Sequence, residues 1–99
     1  MDIGIEQNGD TAVVRLVGRL DTNTAPCLQE KIPEVFAENK QVEMNCAQLA
    51  YVSSAGLRVL LLAYRTAQKT GARLTFAQVS EEVMEVLRMT GFAEFLEFV

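Results

Sequence analysis

Ile3 and Ile5 alternate with Gly4 and Glu6, and a β-rich run resumes from Ala12 to Val17 after Asn8-Gly9-Asp10. Period-two patterning on both sides of an Asn-Gly pair predicts a β-hairpin that opens a sheet. Gly18-Arg19-Leu20-Asp21 ends the second strand. Asp21-Thr22-Asn23-Thr24 is a polar loop able to cap a helix, with Pro26 where a first-turn proline is tolerated. Leu28, Ile32, Val35 and Phe36 then recur at helical spacing against polar Glu30, Lys31, Glu34 and Glu38. Pro33 interrupts that stripe. An interior proline costs about 3 kcal/mol in an isolated helix, which predicts a kink or two short helical pieces near Ile32.

Asn39-Lys40-Gln41 reads as a turn, and Val42, Met44 and Cys46 alternate with Glu43 and Asn45 as a strand ending near Cys46. Ala47 to Val52 connects it to the most apolar helical run, Leu57 to Ala67. On a helical wheel Leu57, Leu60, Leu61, Tyr64 and Ala67 share one face. Val59, Leu62 and Ala63 lie nearly opposite, with Arg58, Arg65 and Lys69 as a narrow basic band. One sheet cannot cover both apolar faces, so this helix is either sunk in a core or holds surface for a partner. Thr70-Gly71 ends it. Arg73 to Val79 reads as a strand, and Ser80-Glu81-Glu82 starts a helix whose stripe is Val83, Val86, Leu87 and Thr90, with Gly91 as stop signal. Phe95, Leu96 and Phe98 are the makings of a last short strand. The order predicts an α/β domain with several parallel strands joined by right-handed helical crossovers.

The chain of 99 residues is the size of one domain, 1–99, and at 49% hydrophobic and 22% charged residues it has the composition of a globular core. Net charge of −4 with scattered basic residues argues against a nucleic-acid or anionic membrane surface. No run approaches the ~18 apolar residues of a membrane span, and the start of the chain has no leader pattern, so a cytoplasmic protein is expected. Histidine is absent, which removes the Ser-His-Asp and Cys-His arrangements and the commonest metal ligand. Cys27 and Cys46 form no CxxC pattern and read as small buried hydrophobes. No cofactor or metal site is expected, and Val52-Ser53-Ser54-Ala55-Gly56 lacks the first glycine of a nucleophile elbow.

The serine pair can still carry chemistry of another kind. Ser53 and Ser54 stand at a predicted helix N-terminus, where unpaired N–H groups and the helix dipole favour negative charge. Either they are plain caps, or one is a phosphate acceptor on an accessible turn beside small residues. Asp21 to Thr24 and Ser53 to Gly56 each follow a predicted strand and precede a helix, so the two loops are expected side by side at the carboxyl ends of the strands.

Gly18-Arg19-Leu20-Asp21 with Thr24-Ala25, followed by Val52-Ser53-Ser54-Ala55-Gly56-Leu57-Arg58-Val59-Leu60, resembles the STAS domain family, and within it the bacterial anti-sigma factor antagonists. The resemblance covers nearly the whole chain, including Gly71 before a strand and the Met89-Thr90-Gly91-Phe92 turn. It implies a STAS-like mixed sheet, opened by a hairpin and packed with alternating helices, and a binding switch in place of an enzyme. The implied partners are an anti-sigma factor that is a serine kinase of the histidine-kinase-like ATPase type and a PP2C-type phosphatase. Unphosphorylated, the antagonist sequesters the anti-sigma factor and frees a sigma factor. The implied phosphorylation site is Ser54. Asp21, Thr24, Ser53, Gly56, Leu57 and Arg58 are the implied partner-binding positions. Ser53 stands where family members commonly carry Asp, and Pro33 is a second departure. The alternative implied by the same resemblance is a constitutive scaffold, or a subunit of a transport or sensory assembly, with Ser54 only capping its helix. A monomer or weak dimer is compatible with either.

Overall fold

A computed structural model describes the whole chain, Met1–Val99. The hairpin forms as the alternation predicts. β1 (Asp2–Asn8) pairs antiparallel with β2 (Thr11–Leu20) across Gly9, whose φ of 63° suits a residue without Cβ. α1 (Ala25–Glu38), β3 (Gln41–Val52), α2 (Ser54–Thr70), β4 (Arg73–Ala77) and α3 (Glu81–Met89) follow, then a 3₁₀ turn at Phe92–Glu94. The strands lie in the order β1-β2-β3-β4, with β2, β3 and β4 mutually parallel.

Both parallel connections step the same way across the sheet. Successive right-handed crossovers of that kind put their helices over one face, and α1 and α2 do pack against each other. The register Ala12↔Val42↔Leu74 and Val14↔Met44↔Phe76 turns these buried side chains toward one side. There they join Leu28, Ile32 and Phe36 of α1 and Leu57, Leu60 and Ala63 of α2 in one continuous hydrophobic cluster. The opposite side of β2 carries exposed Arg15 and Arg19.

Three expectations are corrected. α1 is unbroken through Pro33, which is exposed, while Leu28, Ile32, Val35 and Phe36 around it are buried. Burial of four large side chains at about 1.5–3 kcal/mol each outweighs the proline penalty. β3 does not stop near Cys46 but continues to Val52, because two register shifts against β2, between Arg15 and Val17 and between Gly18 and Arg19, keep the ladder going. The final strand shrinks to a single bridge. Phe98 sits beside Phe76, with Phe76 N–H donating to Glu97 O at 2.9 Å and Val99 N–H to Phe76 O at 3.0 Å.

The two apolar faces of α2 have a partial answer within the chain. Gly56, Leu57, Val59, Leu60, Ala63 and Ala67 are buried between sheet and α1. Leu62 keeps 37% of its surface exposed. No helix is long and apolar enough to cross a membrane.

Candidate functional site

The carboxyl ends of β2 and β3 are register partners at Leu20↔Val52, and Ser53 N–H donates to Leu20 O at 2.9 Å. The two loops that follow therefore start from adjacent strand ends. The expected juxtaposition of Asp21–Thr24 and Ser53–Gly56 is present.

In the first loop, the Asp21 carboxylate accepts from Asn23 N–H at 3.0 Å and from Thr24 N–H at 3.2 Å. The Thr24 hydroxyl accepts from Asp21 N–H at 2.9 Å and donates to Arg19 O at 2.6 Å. The loop is thus closed on itself before α1 begins. Partial burial pushes the Asp21 carboxyl up, but the Thr24 and Asn23 N–H groups, the Thr24 hydroxyl and the Arg19 guanidinium outweigh it. Together they hold Asp21 below the usual carboxylate range. Arg19 Nε stands 3.8 Å from Asp21 Oδ2, and the guanidinium lies over the Tyr51 ring at 4.1 Å.

The serines of the second loop divide the work. Ser53, in extended conformation, is the N-cap of α2, and its hydroxyl accepts from Gly56 N–H at 3.2 Å. Ser53 O accepts the first helical bond, from Leu57 N–H at 2.8 Å. Ser54 is the first helical residue, is exposed, and its hydroxyl is in no hydrogen bond within the chain. The capping role expected of Ser54 in the scaffold alternative thus falls to Ser53. The N–H groups of Ser54 and Ala55 remain the unpaired donors of the first turn.

Gly56 is required by packing. A Cβ there would stand 2.6 Å from Leu20 O, 2.9 Å from Leu20 Cγ and 3.0 Å from Val52 Cγ1. A side chain would push the start of α2 off the ends of β2 and β3. Gly56 and Leu57 are buried, so they set the height and tilt of the turn instead of offering side chains at its surface. Arg58 is exposed one turn beyond Ser54.

The pattern of the sequence does not single out Arg19 or Tyr51. Their pairing depends on the register Arg19↔Tyr51, and so on β3 reaching Val52. Cys46 is buried beneath the sheet, and burial, with a smaller contribution from the Glu43 charge, pushes its thiol up to about 12. It is a protonated hydrophobe at neutral pH, whereas Cys27, expected to be buried as well, is exposed on α1, on the side away from the stripe of Leu28, Ile32, Val35 and Phe36 that packs into the core.

The model of the family described as STAS domain matches residues 2–99. The chain is 23% identical over 97 residues to the anti-sigma-B factor antagonist of Bacillus subtilis (strain 168), covering 98% of this chain and 89% of the relative. Among solved structures it is similar to the anti-sigma factor antagonist SpoIIAA in its unphosphorylated form, with a TM-score of 0.80 at 20% identity over 99% of this chain and 87% of that one. The Bacillus protein SpoIIAA in its phosphorylated form gives a TM-score of 0.78 at 20% identity, over 99% of this chain and 91% of that one. At such identity these structures establish the likeness of fold.

Proposed function

The chain belongs to the STAS domain family, and from that membership we propose that it is an anti-sigma factor antagonist switched by phosphorylation of Ser54. Unphosphorylated, it holds an anti-sigma factor that is also a serine kinase of the histidine-kinase-like ATPase type, and so frees a sigma factor in the cytoplasm. A PP2C-type phosphatase resets it.

The observation that carries this reading is the division between the serines. Ser53 supplies the cap, which leaves the Ser54 hydroxyl exposed, unbonded and first in α2. Ser53 also accounts for the departure from the family's Asp, because Ser and Asp rank together as N-caps. A phosphate on Ser54 brings about −1.5 to −2 charges to a helix N-terminus whose free N–H groups stabilise it in the free protein. Against a docked partner the same charge must be desolvated, which breaks the complex. Asp21 and Thr24 fix the neighbouring loop, Gly56 and Leu57 hold the turn against β2, and Ser53, Ser54 and Arg58 form the contact surface.

The test compares Ser54→Ala and Ser54→Asp for binding to the cognate anti-sigma factor by calorimetry, beside the intact mass of the native protein isolated under phosphatase inhibition. The expected result is retained binding for Ser54→Ala, loss by about 100-fold or more for Ser54→Asp, and a phosphate mapped to Ser54. Equal binding by both variants, with Ser54 unmodified across growth and stress conditions, returns the constitutive scaffold.

A further inference from the structure

Four of the six arginines stand beside a carboxylate: Arg15 by Glu6 at 3.2 Å, Arg19 by Asp21 at 3.8 Å, Arg73 by Glu97, and Arg88 by Glu81 and Glu85 at 3.0 and 3.3 Å. The two without a carboxylate partner are Arg58 and Arg65. Both are exposed, both belong to α2, and both line one groove between α2 and α1, together with Gln29, Val59, Leu61 and Leu62. In a chain with 13 acidic residues and a net charge of −4, counter-charges are plentiful. Two guanidinium groups left free at one place therefore form a local positive site on an acidic molecule.

The groove has a shape as well as a charge. Arg58 and Arg65 are seven positions apart on one helix, which places their Cα atoms about 10.5 Å apart along its axis, two turns, on one side. Leu62 lies between them, 37% exposed. The pattern along the surface is positive, apolar, positive. With a volume of about 250 Å³, the groove falls below the roughly 300–1,000 Å³ of small-molecule sites. It has room for one large side chain.

We propose that this groove is the docking site for an acidic amphipathic helix of a partner protein. Two carboxylates about two turns apart pair with Arg58 and Arg65, and one large apolar side chain between them settles on Leu62. Arginine suits this use because its planar fork binds carboxylate bidentately and its stem covers apolar surface. The proposal shares with the binding-module reading the placement of a partner on α2, and adds Leu62 and Arg65, two or more turns beyond Ser54.

The test titrates the ¹⁵N-labelled full chain with a synthetic Ala-rich helical peptide of about 18 residues, carrying two glutamates two turns apart and a leucine midway. Saturable binding is expected, with amide shifts centred on Gln29, Arg58, Leu62 and Arg65. Arg65→Glu should weaken it by about tenfold or more. The doubly reversed chain, Arg58→Glu with Arg65→Glu, should instead take the peptide whose glutamates are replaced by lysine; this charge-swapped rescue separates docking from loss of fold. The proposal is overturned by absent binding, by shifts elsewhere, or by indifference to Arg65→Glu. It is equally overturned by an Arg65-dependent dimer in sedimentation, which would make a second copy the occupant, or by co-sedimentation with phosphatidylglycerol vesicles. No anti-sigma factor or phosphate enters the titration, so failure of the Ser54 switch leaves this result standing, and the reverse.

Discussion

Ser53 and Ser54 are adjacent and chemically identical, and the fold gives them opposite tasks. The extended backbone at Ser53 turns its hydroxyl onto Gly56 N–H, while the helical backbone at Ser54 turns that hydroxyl outward. Ser53→Ala should therefore cost about 1 kcal/mol of stability, and Ser54→Ala should stay within about 0.5 kcal/mol of wild type. Urea denaturation midpoints measure both, and the reverse order would assign the cap to Ser54. The sequence shows that the pair lies at a helix start. Which serine caps depends on where extended backbone gives way to helical backbone, a boundary one residue finer than a periodicity resolves.

At the scale of elements, the site rests on how α2 meets β2. Its first turn approaches so closely that a Cβ on Gly56 meets the Leu20 carbonyl at 2.6 Å, an atom of a strand that cannot yield easily. Gly56→Ala is expected to destabilise the chain by about 1–3 kcal/mol, seen as a lower thermal midpoint, and to disturb the Ser54 turn with it. A midpoint equal to or above wild type would mean that α2 shifts freely. The length of β3 is less visible beforehand. Its buried positions run Val42, Met44, Cys46 and then Leu49 and Val52, so the interval changes from two to three where the register shifts against β2. That change erases the alternation by which a strand is recognised. Pro33 misleads in the other direction, since its local cost is visible in the sequence and the burial around it is not.

For the whole molecule, acid should be the sensitive side. Asp21 is held below its ordinary value of 3.8 by the balance of groups described above. Glu97 is held below its ordinary 4.5 foremost by its hydrogen bond to Arg73, against some burial and with further help from the Arg73 charge. Both carboxyls keep their protons to higher pH in the unfolded chain than in the folded one. Their stabilising contribution is complete above those ordinary values and disappears as pH falls through the lower folded ones. With no histidine to titrate, stability is expected to be level from about pH 6 to pH 8 and to fall below about pH 4.5. Denaturation midpoints across that range check this, and a midpoint that rises on acidification would overturn it. Asn23→Pro, which removes one N–H donor to Asp21, should flatten the acid limb.

Hydrophobic spacing by itself determined the β-hairpin, the three helices, the strand beginning at Val42 and the candidate loops at Asp21 and Ser53. Each of these follows from side-chain periodicity and cap chemistry within a few residues. Only the tertiary structure decided what depends on neighbours distant in sequence. The β2–β3 register carries β3 on to Val52 and sets Arg19 over Tyr51. The Leu20 carbonyl makes Gly56 obligatory. The packing of α1 on α2 covers one side of a doubly apolar helix and leaves Arg58, Leu62 and Arg65 along an open groove. Local spacing records which face a residue prefers, whereas coverage of that face is a property of the assembled chain.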